Sequence, residues 1–268
     1  MTTPTDSDGV AIESRDAVLR ITLDRPSRKN SLDPPAVRRI VAALEAAATD
    51  DALRVIVLAG NGSDFCSGAD WVASNAAGTR PRTGSLQRRT PLQAHRLIEL
   101  LTTTQLPVVC AVRGWAAGLG FQLALAADFT IAAESACFWE PFLERGFSAD
   151  SGSTWLLPRL VGVARAKELL LLGRKLSGAE AAAWGLIHRA VPDGELEAAT
   201  TAIVAQLASA PTVAVGLTKQ CIRRALESGL IEALQNESFA LELSSRTADF
   251  KEGLLAFKER RPARFTGQ

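Results

Sequence analysis

Two short glycine-containing segments carry the types and spacing from which chemistry could be built. They are Phe65-Cys66-Ser67-Gly68-Ala69-Asp70 and Gly114-Trp115-Ala116-Ala117-Gly118-Leu119-Gly120-Phe121. Each follows an apolar, strand-like run, and in each glycine lets the main chain bend closely past a ligand just before a helix begins. A helix start presents N–H groups without partners and the positive end of aligned peptide dipoles. Two such ends facing one another could hold a carbonyl oxygen as it becomes anionic. Losing one donor of that kind typically costs about 2.7–4 kcal/mol of transition-state stabilisation. Glycines in such turns also mark tight packing, and spacing alone leaves both readings open.

Asp150, in Ser148-Ala149-Asp150-Ser151-Gly152-Ser153, is the other residue to weigh. Its position ahead of Ser-Gly-Ser suits an N-cap. A lone carboxylate in an apolar pocket, its pKa raised by desolvation, can instead remove a proton from one carbon and return it to another. Phe138, Trp139 and Phe142 could wall such a pocket or simply belong to the core. Glu140 and Glu144 flank Phe142, where solvated side chains on a helix surface are the plain expectation. Cys66 has no basic partner nearby in sequence and reads as inert packing. The two histidines, His95 and His188, and the scattered Cys66, Cys110, Cys137 and Cys221 give no metal-ligand spacing, so no metal is expected.

The elements that must position these residues follow from periodicity. Residues 17–23 are rich in β-formers and stop at Asp24-Arg25-Pro26, a strand entering a turn. Val37, Ile40, Val41 and Leu44 recur at helical spacing after Pro34 and Pro35, which suit a first turn. Leu53 to Gly60 reads as a buried strand, Leu92 to Leu101 as a helix and Val108 to Val112 as another buried strand. Strand alternating with helix predicts an α/β domain with right-handed crossovers. Residues 74–91, with Gly78, Pro81, Gly84, Pro91 and Arg80, Arg82, Arg88 and Arg89, read as a solvated loop, an Arg-rich lid over a phosphate-bearing ligand being the alternative. From about Ala164 the pattern is almost entirely helical. The expected division is a flexible 1–10, an α/β core over 11–200 and a helical region over 201–268.

With 268 residues, 47% hydrophobic, the chain can bury a large core. Lys+Arg 30 against Asp+Glu 29 leaves a net charge of +1, which gives no electrostatic reason to expect nucleic acid or an anionic membrane. No apolar run reaches the roughly 18 residues needed to span a bilayer. The polar N-terminus lacks the basic head and apolar stretch of a signal peptide. A cytoplasmic protein with free thiols is expected.

The ordered motifs resemble the crotonase (enoyl-CoA hydratase/isomerase) family along nearly the whole chain. Ile21 to Pro26 with Asn30-Ser31-Leu32 resembles that family's first strand and adenine-binding turn. Val55 to Asp70 resembles its V-L-x-G-x-G-x-x-F-C-x-G-x-D stretch, and Gly114 to Asp128 its G-x-A-x-G-x-G loop and following helix. Gly146 to Gly162, Leu176 to Pro192 and Asp249 to Pro262 continue in register. The resemblance implies a crotonase-like ββα spiral core with a C-terminal helical trimerisation region, hence a homotrimer or dimer of trimers. It implies an acyl-CoA substrate, coenzyme A entering only as part of the thioester and no separately bound cofactor.

Carried over residue by residue, the resemblance makes the main-chain amides of Ala69 and Leu119 the oxyanion donors. It places Ser31, Ser67, Gly68, Asp70, Trp71, Gly118, Gln122, Pro141 and Phe142 around the substrate. The family's hydratases use two glutamates, whose positions are Gln122 and Phe142 here, and neither side chain can take a proton at neutral pH. Asp150 instead resembles the catalytic aspartate of the dienoyl-CoA and phenylacetyl-CoA-pathway isomerases, and Leu156-Leu157-Pro158-Arg159 resembles the latter. An enoyl-CoA isomerase is therefore the expected activity. The alternatives are a hydratase using Glu140 or Glu144, an acyl-CoA dehalogenase or hydrolase with His95 as base, and a non-catalytic acyl-CoA-binding protein. Phe257, Lys258, Arg260 and Arg261 resemble residues near the coenzyme's phosphates, a solvated helix end being the alternative.

Overall fold

The computed structural model describes residues 9–70 and 82–268. A six-stranded sheet forms the core, in the order β1 (Val10–Arg15), β2 (Val18–Leu23), β3 (Val55–Gly60), β4 (Val108–Val112), β6 (Phe129–Ala133) and β9 (Arg189–Val191). The first pair is antiparallel and the others are parallel. Parallel strands covered on both faces should read as continuous apolar runs, and Val55, Ile56, Val57 and Leu58 are all buried. A smaller sheet joins β5 (Trp115–Ala117), β7 (Cys137–Trp139) and β8 (Leu176–Ser177).

Helix α1 (Pro34–Ala47) starts where Asp33 accepts the Ala36 N–H, and it buries Val37, Ile40 and Leu44. Short α2 (Ser85–Arg89) and a 3-10 turn over Thr90–Leu92 lead into α3 (Ala94–Thr103). This makes the end of the expected 74–91 loop helical, whereas its residues 74–81 and the lid they might form lie outside the described residues. Helix α4 (Leu119–Ala126) has every residue buried and links the small sheet to the large one. Helix α5 (Ser153–Leu172) is interrupted by non-helical backbone at Gly162.

Two segments add detail to the sequence expectations. Strand β1 begins at Val10, the last residue of the 1–10 segment expected to be flexible, and the turn at Gly9 lets Asp24 N–H reach the Gly9 carbonyl at 2.8 Å; residues 1–8 of that segment lie outside the described residues. The region after Ala164 is mostly helical, as its pattern predicts, with two short strands inside the 11–200 core. Strands β8 and β9 interrupt it, and β9 completes the large sheet by pairing with β6. Strands of two or three residues carry too little alternation to stand out among helical patterns. The remaining chain folds as α6 (Gly178–Ala183), α7 (Leu196–Ala208), α8 (Thr212–Ala225), α9 (Leu230–Ser244) and α10 (Ala248–Glu259). Lys219 ties α8 to the core by donating to the Leu101 and Leu106 carbonyls and to Asp128 at 2.6 Å.

Candidate functional site

The two glycine segments lie side by side. Cys66 bridges Ala116 in parallel: its N–H donates to the Trp115 carbonyl at 2.8 Å, and its carbonyl accepts the Ala117 N–H at 2.9 Å. On the other edge Ala69 bridges Leu32. There Leu32 N–H donates to Gly68 O, and Asp70 N–H donates to Leu32 O, both at 2.8 Å. Those bonds use the groups on either side of Ala69, so its own N–H is turned away from Leu32. At the second segment Gly118 N–H donates to the Trp139 carbonyl, while Phe121 and Gln122 N–H groups return to the Gly118 carbonyl. Leu119 N–H therefore stands ahead of the first helical bond of α4. Among the described residues no partner accepts from the amides of Ala69 or Leu119.

Gly68 is what allows this closeness. At φ 96, a methyl on it would stand 2.7 Å from Ala117 O and 3.4 Å from Leu119 N. Gly120 is equally confined, a methyl there meeting Cys66 O at 2.4 Å. Gly118, at φ 51, faces Pro141. The first segment is braced from outside. Asp70 is ion-paired with Arg25 at 3.2 Å and with Arg28 at 3.5 Å, and it accepts from Ser31 Oγ at 3.4 Å. Ser67 N–H donates to the Lys29 carbonyl. Asp70 and Ser31 thus tie the 25–33 turn to the Ala69 amide. Trp71 lies outside the described residues.

Asp150 does not cap α5. The helix N-cap is Gly152, with no side-chain capping bond, and it is the Asp150 main-chain carbonyl that accepts from Ser153 N–H and Oγ. Positive φ at Ser151 and Gly152 turns the chain here, and Gly152 packs near Ile98 of α3 and Leu156. The Asp150 carboxyl is left half-buried. Burial pushes its pKa up, while a hydrogen bond with Ser151 and the charge of His95 pull it partly back. His95 is therefore near Asp150, although its own side chain is exposed.

Glu140 is the residue the sequence reading misplaced. It is not solvated: it is 2% exposed, and Gln122 Nε2 donates to its two carboxyl oxygens at 2.8 and 2.9 Å. Burial raises its pKa well above the ordinary glutamate value; the Gln122 bond opposes this, and the charge of Asp150 adds to it. The signal was available in phase, since Glu140 follows buried Phe138 by two residues and strand side chains alternate. Glu144, by contrast, is exposed. Phe142 is buried against Phe147, whereas Trp139 points to the opposite side of β7 from Phe138 and pairs with Trp115. Only part of the expected aromatic wall is therefore shared.

Cys66 is fully buried, its thiol pushed up to about 12 by desolvation, which leaves no thiolate for chemistry at neutral pH. His188 meets Phe129 edge-on, a packing contact. Of the C-terminal residues, Arg261 is paired with Glu252 and Glu259, and Phe257 is 85% exposed. A separate apolar groove of about 620 Å³ lies at the far end of α4, lined by Leu125, Ala126, Trp155, Val215 and Ile222 among others. Among the described residues no cluster of three or more metal-ligating side chains occurs, and no single helix is long and apolar enough to cross a membrane.

Comparison with known proteins agrees with this geometry. Residues 13–268 match the family model described as enoyl-CoA hydratase/isomerase. A protein of Escherichia coli named 1,2-epoxyphenylacetyl-CoA isomerase is 39% identical over 94% of this chain and 95% of its own length. A Rhodobacter capsulatus protein named "Probable enoyl-CoA hydratase" is 40% identical over 98% of this chain and 96% of its own. The crystal structure of an enoyl-CoA hydratase from Bacillus anthracis superimposes with a TM-score of 0.90 at 34% identity, covering 97% of this chain and 100% of that one. The paired glycine loops, the spiral of strands and helices and the helical C-terminal region are those of the crotonase fold, and the chain is an enzyme belonging to the enoyl-CoA hydratase/isomerase family.

Proposed function

We propose that the enzyme is an enoyl-CoA isomerase that moves a C=C bond along the acyl group of a coenzyme A thioester. The Ala69 and Leu119 N–H groups receive the thioester oxygen, and Asp150 carries the proton. With a 3-enoyl thioester, the Asp150 carboxylate takes a proton from the carbon beside the carbonyl. The electron pair spreads onto the oxygen held by the two amides. The carboxylic acid then delivers the proton to the far end of the conjugated system, which leaves a 2-enoyl thioester and regenerates the carboxylate. No water is consumed. Gly68, Gly118, Pro141 and Phe142 line the path of the acyl group in this reading, and Ser31, Ser67 and Asp70 hold the turn beside the coenzyme.

The observation that carries the reading is Asp150 itself, a half-buried carboxyl with a raised pKa that is not spent on capping its helix. The absence of a carboxylate at Gln122 and Phe142 points the same way. Glu140 supports a second reading, hydration, because it brings another buried carboxyl toward Asp150. Turnover of an acyl-CoA panel read by mass spectrometry separates the two, since isomerisation conserves mass and hydration adds a water. Asp150→Asn should abolish turnover and leave acyl-CoA binding intact; unchanged turnover removes Asp150 from the reaction.

We also propose a homotrimer, alone or paired into a dimer of trimers. Large apolar side chains on the C-terminal helices support it, with Leu230 72%, Ile231 69% and Phe239 73% exposed in the single chain. Light scattering should give a mass three or six times 28.5 kDa, and a monomer would refute this assembly.

A further inference from the structure

Gln122 is fully buried on α4, one turn from Leu119, and its side chain is only half satisfied. Its Nε2 donates to both oxygens of Glu140, and its Oε1 has no partner. Glu140 in turn precedes Pro141, which faces Gly118, and its carboxyl feels the charge of Asp150. The pair therefore sits between the second oxyanion segment and the proposed base. A buried polar atom ordinarily has a partner, so the unpaired amide atom leaves a place for one that arrives with the ligand.

This orientation of the amide suits an ionised Glu140, which accepts from it. A neutral Glu140 needs the reverse: its O–H must donate, and Gln122 Oε1 can accept. A half-turn of the terminal amide achieves this and exchanges the two atoms. It leaves NH2, a donor, where the unpartnered oxygen stood. We propose that Gln122 and Glu140 form a recognition unit for an oxygen atom on the acyl group: Glu140, as the carboxylic acid, donates to Gln122 Oε1, and the Gln122 NH2 donates to that substrate oxygen. Burial above all, and with it the charge of Asp150, pushes Glu140 toward the acid form against the pull of the Gln122 hydrogen bond. The inference rests on the thioester reading of the site and narrows its substrate class. The favoured acyl groups carry an acceptor oxygen, such as a ketone, ether, epoxide or hydroxyl; a plain hydrocarbon chain leaves the NH2 unpaired. Gln122 contacts the substrate in this arrangement, and Glu140 is a positioning residue.

The test uses the full-length protein and matched coenzyme A thioesters of one carbon skeleton, with and without 3-oxo, 3-hydroxy or 2,3-epoxy oxygen, titrated by calorimetry at pH 7. At least one oxygenated thioester should bind about tenfold more tightly than its hydrocarbon partner, the value of one buried hydrogen bond. That preference should vanish in Gln122→Met. It should survive in Glu140→Gln, whose own NH2 can donate to Gln122 Oε1, and should shrink in Glu140→Met. An infrared difference spectrum of wild type against Glu140→Gln should contain a carboxylic-acid carbonyl band, which a merely structural Glu140 carboxylate would not give. Absence of that band, equal affinity within every pair, or a preference that survives Gln122→Met overturns the proposal. If no thioester binds at all, the acyl-CoA reading of the site falls, and this inference falls with it.

Discussion

Gly68→Ala tests the main-chain oxyanion site without touching any side chain that does chemistry. The new methyl would stand 2.7 Å from Ala117 O and 3.4 Å from Leu119 N, so the two loops must part by a few tenths of an ångström. Gly68 also holds φ 96, and a non-glycine residue kept in such a region costs of order 1–3 kcal/mol of stability. The catalytic effect should be larger. Separating the loops moves Ala69 N–H relative to Leu119 N–H, and losing one oxyanion donor costs about 2.7–4 kcal/mol, a fall of about 10²–10³ in kcat. KM should change little, because the ground-state carbonyl bears less charge than the enolate. Uptake of deuterium from D2O into the acyl chain, read by mass spectrometry, reports enolate formation whatever the final product. Gly185→Ala is the control. Gly185 has a similar φ of 72 and no atom within 4 Å of its added methyl, so it carries the backbone strain without the crowding. If folded Gly68→Ala exchanges protons as fast as Gly185→Ala, the paired amides do not stabilise the enolate.

Three further outcomes follow from the charges. Lys219→Met should destabilise the protein by about 1–3 kcal/mol in urea unfolding, because it takes the cation from partly covered Asp128 and the donor from the Leu101 and Leu106 carbonyls; Lys219→Met with Asp128→Asn should recover part of the loss, and purely additive effects would refute coupling. Turnover should fall on the acid side at a pH above the ordinary aspartate value of 3.8, since burial raises Asp150 and only its ionised form accepts a proton; a profile flat through that range would exclude Asp150 as base. Glu140 is raised in the folded state, so the unfolded chain releases its proton first and stability falls as pH climbs from about 4.5 toward the folded value, by up to about 1.4 kcal/mol per pH unit. Glu140→Gln lacks that loss, and its melting temperature should gain on wild type between pH 5 and pH 8; a constant difference would mean that Glu140 is ionised in the native protein.

The fold was legible wherever apolar period and punctuation agreed. Pro34 with the Val37, Ile40 and Leu44 stripe marked α1, and the runs ending at Gly60 and Val112 marked the buried parallel strands. Strands β8 and β9 were hidden because they are short and their sheet partners are distant in sequence. At the site, residue types pointed to the two amide-bearing turns, because a main-chain site is written in its glycines. The state of Asp150 could not be read from order alone. Asp before Ser-Gly-Ser suits a cap, yet the left-handed turn at Ser151 and Gly152 moves the helix start past it. Glu140 was hidden for the opposite reason: a glutamate is nearly always solvated, and only the three-dimensional pairing with Gln122 reveals the exception.

The proposed division of labour lets the reaction depend on few side chains. In the proposed reaction, charge on the thioester oxygen is met by peptide groups, whose donor strength does not vary with the side chain attached; Leu119 can therefore stand at a donor position as well as glycine can. What the main chain cannot supply is a group that accepts a proton or recognises the rest of the acyl chain. In this proposal those tasks fall to Asp150 and to the Gln122–Glu140 pair, placed by the turn before α5, by α4 and by the segment after β7. These elements meet beside Gly118, so changes at the side chains can redirect the reaction while the glycine-built cradle stays fixed. Exchanging Gln122 or Glu140 should therefore alter which thioester is used, whereas opening the Gly68 contact should slow every enolate-forming reaction the enzyme performs.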